Sequence, residues 1–281
     1  MGDHFSAFSF VDRITELQPG LRARGRFWIP DRLHEFPSCL VAEAVGQLAA
    51  WAAMAALAFQ RRPVAGLAGR VDFSGPVRPG QILDLAVELE SCDPDAVAYR
   101  GWASVGGSPV LRLSQCVGPM LSMEEFDDPR VVQDQFGLLC GAGAPPGRFL
   151  GLTMPELLLG ETVPSGALRA VLEIPMSAPF FADHFPRRPV FPGSLLLDAK
   201  MRLAAEFAGR VLSPVETTPL VYSQMSDVKL RAFLSPGQTV EFDARLLSQA
   251  GSRGATVAVA ARANGKQVAG ARVTLLPQEA T

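Results

Sequence analysis

Residues Arg70 to Glu90 (RVDFSGPVRPGQILDLAVELE) and Asp227 to Leu247 (DVKLRAFLSPGQTVEFDARLL) are two versions of one pattern, alternating around a shared Pro-Gly-Gln step at Pro79 and Pro236. Such a repeat constrains the fold more than any local signal, because each copy is one unit that buries its apolar face against a neighbour. Each copy predicts two strands joined by a turn. An apolar helical segment precedes each copy, FPSCLVAEAVGQLAAW from Phe36 and FPGSLLLDAKMRLAAEF from Phe191. A hairpin follows each, turning at Gly106-Gly107 and at Asn264-Gly265. Both halves therefore run strand, helix, then several antiparallel strands, which predicts an α+β fold whose two sheets can pair edge to edge. The pattern places an N-terminal half at 1–125, a connector at 126–159 and a C-terminal half at 160–281. The stretch from Glu124 to Gly151, with DDP and GAGAPPG and little periodicity, reads as linker.

Composition narrows the functional classes. The 281 residues carry a net charge of -2 and a pI near 6.0, which gives no basic field for nucleic acid. Cys39, Cys92, Cys116 and Cys140 lie far apart, without a CxxC pair, and only three histidines exist to complete a metal site. No metal and no cofactor are expected, and thiols so spaced suit a reducing compartment. MGDHFSAFSFVDR has neither the basic nor the apolar region of a signal peptide, so a cytoplasmic location is expected. Leu40 to Phe59 is apolar enough to suggest a membrane helix, but Glu43 and Gln47 sit one turn apart within it and favour a buried core helix.

The densest chemical signal is DHFPRRPVFPGSLLLDA, Asp183 to Ala199, in which a histidine precedes a Pro-rich loop, a Pro-Gly step and a helical acid. The pattern resembles the FabA/FabZ group of β-hydroxyacyl-acyl-carrier-protein dehydratases, and His184 to Asp198 keeps that group's spacing. FVDRITELQPG at Phe10 to Gly20 is similar to the group's first strand, and AEAVGQ at Ala42 to Gln47 to its helix. Asp198 makes the second half more FabA-like, and Glu43 makes the first more FabZ-like. The resemblance implies a double hotdog, two long central helices each wrapped by an antiparallel sheet.

The halves differ in one respect. Pro30 to Pro37 is ten residues shorter than Pro175 to Pro192, and the missing stretch corresponds to the loop that carries His184. Counting back from Glu43 by the His184–Asp198 interval reaches Ile29. In the family the histidine of one hotdog faces the acid of its partner, which implies that His184 pairs with Glu43. Asp198 then faces a shortened loop where only His34 offers a base, at the wrong spacing, so one working site per chain is expected. Lys200 and Arg202 replace small or amide residues beside Asp198 and are expected to alter the pocket there.

The implied reaction removes water from (3R)-hydroxyacyl thioesters on acyl carrier protein and gives trans-2-enoyl thioesters, as in fatty acid or polyketide-type biosynthesis. It needs a base for the α-proton, which neutral imidazole supplies near pH 7. It also needs an acid for the leaving hydroxyl, and a carboxyl group in an apolar seam, such as Glu43 among Leu40, Val41, Ala44 and Val45, is suited to donate. The N–H of Gly193, after Pro192 at the helix start, can meet the charge developing on the thioester oxygen, and Phe185 belongs to the same substrate-binding loop. Arg187 and Arg188 can meet a phosphopantetheine phosphate or an acidic carrier, as can the face shared by Arg22, Arg24 and Arg26. Hydration of enoyl-CoA, trans-2 to cis-3 isomerisation and an inactive partner subunit remain alternatives. A single chain already supplies the pseudo-dimer, as a monomer or within a homodimer.

Overall fold

Strand alternation in this chain is strong enough to see residue by residue: along β2 (Arg22–Trp28) every second side chain is buried and the arginines between them point outward. The computed structural model describes residues 5–162, 166–212, 219–250 and 254–278. The first half contains β1 (Arg13–Gln18), β2, α1 (Ser38–Ala56), β3 (Arg61–Pro63), β4 (Leu67–Phe73), β5 (Ile82–Cys92), β6 (Ala96–Val105) and β7 (Ser108–Ser122). After α2 (Pro129–Cys140) the second half contains β8 (Leu158–Thr162), β9 (Leu168–Glu173), α3 (Gly193–Val211), β10 (Leu220–Leu230), β11 (Thr239–Ala250), β12 (Gly254–Ala263) and β13 (Lys266–Pro277).

The thirteen strands of the described residues join one antiparallel sheet in the order β1-β2-β5-β6-β7-β4-β10-β13-β12-β11-β9-β8, with β3 paired off this path to β7. Read outward from the β4–β10 seam, the two halves present their strands in the same sequence. The seam pairs Met225 with Val71 and Val228 with Ala68, so each half covers the edge that the other would expose.

The turns at Gly106-Gly107 and Asn264-Gly265 are hairpins as expected, all four residues having positive φ. The Pro-Gly-Gln steps are not. β4 pairs with β7 and β10, whereas β5 pairs with β2 and β6, so the chain crosses the sheet between the two strands of each repeat. The Gly80 N–H donates to Ile29 O (2.9 Å) and the Gly237 N–H to Ile174 O (3.0 Å), which makes Ile29 and Ile174 counterparts. That equivalence places the ten-residue difference in the loops leading to α1 and α3. Both helices span 19 residues and start directly after a proline, Pro37 or Pro192, without a side-chain cap.

The linker is more ordered than its composition suggests, because DDP supplies an N-cap and a first-turn proline: Asp128 accepts from the Arg130 N–H and Pro129 opens α2. α1 is long and apolar enough to cross a membrane by length and composition, but most of it is buried against β2, β5, β6 and β7. Its core residues Leu40, Ala44, Val45, Leu48 and Ala52 are almost wholly out of solvent. Lys200 of α3 is among the buried residues too.

Candidate active site

The loop between β9 and α3 folds back on itself so that its histidine faces the first half. The Val190 N–H donates to His184 O (3.1 Å), and the His184 N–H donates to Phe180 O (2.9 Å). His184 Nδ1 lies 2.9 Å from Val190 O, a contact that fixes Nδ1 as the protonated nitrogen and leaves Nε2 as the basic one. Phe185 stacks on the imidazole at 4.2 Å between centroids, and Phe8 meets its edge at 5.7 Å.

Phe185 also anchors the loop outside the main core. It packs edge to face on Phe126 (5.1 Å) in a small cluster with Val64 and Val190. The Arg62 guanidinium lies over the Phe185 ring at 4.3 Å and binds buried Asp127 at 3.2 Å. Arg187 and Arg188 belong to this attachment. They pair with Asp128 and Glu125, and Arg188 also lies over Phe233 at 4.9 Å, so their charges are engaged by the linker. Arg22, Arg24 and Arg26 share a face as expected, but they too find partners within the chain, in Glu16 and Asp84.

His184 and Glu43 line one cavity of about 230 Å³. Phe185, Gly193 and Ser194 line it from the second half, and Gln47, Tyr99 and Arg62 from the first. Glu43 is held from its own helix: Gln47 Nε2 donates to Glu43 Oε1 (3.1 Å) and to Phe8 O (2.9 Å), while the Phe10 N–H donates to Gln47 Oε1 (2.8 Å). Burial holds the His184 pKa below the usual histidine value; the Glu43 charge opposes that shift and the Arg62 charge adds to it. A neutral base is therefore favoured.

At the head of α3, Leu195 and Leu196 both donate to Pro192 O, and the next N–H groups toward the N-terminus are those of Gly193 and Ser194, at the cavity wall. A Cβ on Gly193 would come within 2.5 Å of Leu230 Cδ1, so the bare backbone is what lets β10 pack this close. The buried Ser194 Oγ has no hydrogen-bond partner among the described residues. Pro192 itself caps the helix and is not among the cavity-lining residues.

Asp198 stands apart from this group. Its carboxylate accepts from Arg202 Nε (2.7 Å) and lies 3.9 Å from Cys39 Sγ. Burial raises its pKa, with Arg202 opposing the shift. Arg202 occupies the helical position that Gln47 holds in α1, four residues after the acid, and its other arm donates to Pro155 O (2.9 Å). A shallow, open groove near this end is lined by Arg202, Ala205, Glu206 and Tyr222. His34 is exposed in the shortened loop. Sequence reading missed Arg62 and Tyr99, which belong to no local motif, and Asp127, which it read only as part of the DDP linker signal.

Comparison with known proteins bears on both the sequence and the fold. A FabA-like domain model matches residues 156–272. The chain is 27% identical over 108 residues to the 3-hydroxyacyl-acyl-carrier-protein dehydratase FabZ of Shewanella baltica (strain OS155 / ATCC BAA-1091), covering 36% of this chain and 70% of that one. It is 29% identical over 98 residues to FabZ of Rickettsia bellii (strain OSU 85-389), covering 34% of this chain and 68% of that one. Among solved structures it resembles a putative oleoyl thioesterase from Lactobacillus plantarum (TM-score 0.57, 13% identity, 92% of this chain and 97% of that one). It also resembles the 12:0-ACP thioesterase from Umbellularia californica (TM-score 0.54, 11% identity, 92% and 95%). The structural likeness gives the fold, a hotdog, and the sequence likeness supports the dehydratase side of it.

Proposed function

We propose that this chain is a fused double hotdog that removes water from (3R)-hydroxyacyl thioesters carried by acyl carrier protein in the cytoplasm, at a single site made by both halves. The observation that carries the reading is the meeting of His184, from the second half, with Glu43, from the first, in one largely apolar cavity. His184 Nε2 takes the α-proton as a C=C bond forms, Glu43 serves as the acid that gives a proton to the departing β-hydroxyl, and the C–O bond breaks to release water. The Gly193 and Ser194 N–H groups at the α3 N-terminus face the thioester oxygen while it carries the developing charge. Return of the proton from His184 to Glu43 resets the pair.

An engineered cavity of roughly 150 Å³ admits a benzene ring. A cavity of about 230 Å³ therefore admits roughly nine carbon-sized atoms by the same measure, a short- to medium-chain acyl group. The thioesterase activities printed for the solved structures belong to those proteins, and the His184 motif favours elimination over hydrolysis here.

Mass spectrometry of a β-hydroxyacyl carrier protein incubated with the chain tests the proposal. Loss of one water from the carrier is the expected result, abolished by His184→Ala, strongly reduced by Glu43→Gln and only mildly by Asp198→Asn. Loss of the whole acyl group would identify a thioesterase instead. No mass change across several chain lengths would favour an inactive partner, and a dead Asp198→Asn beside an active Glu43→Gln would overturn the pairing of the halves.

A further inference from the structure

Asp183 directly precedes the base, and its carboxylate is spent on the other end of the molecule. It accepts backbone hydrogen bonds from the N–H groups of Phe5, Ala7 (2.8 Å) and Phe8 (2.7 Å). A buried carboxylate with three amide donors is a strong, directional anchor, since charge-assisted hydrogen bonds are about twice as strong as neutral ones. The turn so anchored does two things. Its Phe8 ring covers the edge of His184 and packs on Phe180 (6.1 Å), while Phe5, Phe8 and Ser9 form part of the cavity wall. Its backbone then holds Gln47 from both sides, through Phe8 O and the Phe10 N–H, and Gln47 in turn donates to Glu43.

An unbroken series of contacts thus runs from the residue beside the base to the acid, passing through the N-terminal turn. The other half shows what the series lacks when the base loop is absent. There Arg202 replaces Gln47, reaches the lead-in to β8 at Pro155 O, and ties the acid into an ion pair. The lead-in contact survives without a counterpart of Asp183, and the acid is no longer free.

We infer that Asp183 is a positioning residue: by pinning the N-terminal turn it sets the spacing of His184 and Glu43, one from each half, so that the turn acts as a clamp on the pair. The inference rests on the reading of these two residues as base and acid. It assigns a task to a segment that precedes the first strand.

The test uses the full chain with Asp183→Asn, Gln47→Ala and the double variant, assayed on a β-hydroxyacyl carrier protein. Asparagine keeps the shape but turns an N–H toward the turn's own donors. Each single variant is expected to lower kcat by about 10- to 100-fold with KM within about twofold, as misplacement of reacting groups does. The double variant is expected to fall no lower than the weaker single one, because both substitutions break the same series. Losses that multiply, or an Asp183→Asn kcat within about twofold of the starting protein, would overturn the clamp. Should Asp183→Asn fail to fold, Ala7→Pro deletes one of the donors while leaving the base loop intact, and carries the same expectation. If the unmodified chain removes no water, the functional reading falls, and amide exchange decides the anchor separately. Faster exchange at Phe5 to Phe10 in Asp183→Asn supports it, and unchanged exchange rules it out.

Discussion

His184, the proposed base, can act only while it is neutral, and two neighbours pull its titration in opposite directions. Glu43 favours the imidazolium, whereas burial and the Arg62 cation disfavour it, with a net lowering. The acidic limb of kcat/KM is therefore expected below the ordinary histidine value. Arg62→Gln removes one of the groups that disfavour the imidazolium, so the limb should move to higher pH, which a pH–rate profile would detect; a limb that stays put or moves lower would contradict this. Arg62 was invisible in the sequence because it lies beside His184 through Phe185 while Asp127 holds it, and both are far from it in the chain. His184 and Glu43 were legible because motif and repeat both pointed to them.

Lys200 shows the opposite case, a residue noticed early whose full burial the sequence did not foretell. It is fully buried, its Nζ has no hydrogen-bond partner among the described residues, and burial lowers its pKa to about 7. An unfolded lysine holds its proton to well above that, so between about 7 and the usual lysine value the unfolded state binds more protons and stability rises with pH. Below about 7 the folded protein bears the whole cost of a buried cation. Lys200→Met should raise the denaturation midpoint at pH 6.5 and leave it nearly unchanged at pH 10; equal effects at both pH values would refute the burial argument.

Among the elements, the hairpins and the two core helices could be read directly, because a two-residue turn and a long apolar run are local patterns. Strand neighbours could not. Alternation tells which face of β4 is buried, but not that β5 lies across the sheet rather than beside it. α2 was missed although its signal was present, since Asp-Asp-Pro reads equally as a breaker or as an N-cap with a first-turn proline. Closeness between elements is set by residues that look unremarkable in sequence. A Cβ on Gly101 of β6 would lie 2.5 Å from Val45 Cγ1 and 2.9 Å from Ala86 O, a backbone atom that has little room to yield. Gly101→Ala should therefore push α1 away from the sheet and cost about 1–3 kcal/mol, the usual range for overpacking, measurable by urea denaturation. A neutral result would mean that the helix can shift freely.

At the scale of the molecule, the repeat foretold two similar halves and the ten-residue difference foretold that they would not be equivalent. What the comparison of halves could not reveal is how the Asp198 end is filled: the Asp198–Arg202 pair is one helical turn apart, but Pro155 reaches Arg202 only in three dimensions. One reactive centre per chain is the expectation. An affinity label that alkylates the base should add one group per chain and none to His184→Ala; two groups would mean that the Asp198 end is also competent.

The Arg202–Asp198 ion pair sets how far this end of the protein stands from the other. The shortened loop brings up no histidine at the required spacing, and the neighbouring acid already holds a cation. Lengthening the loop alone would aim a histidine at a carboxylate already neutralised by guanidinium. Removing Arg202 alone would free an acid with no base to serve. A second working site at this end is therefore expected to require both changes made together.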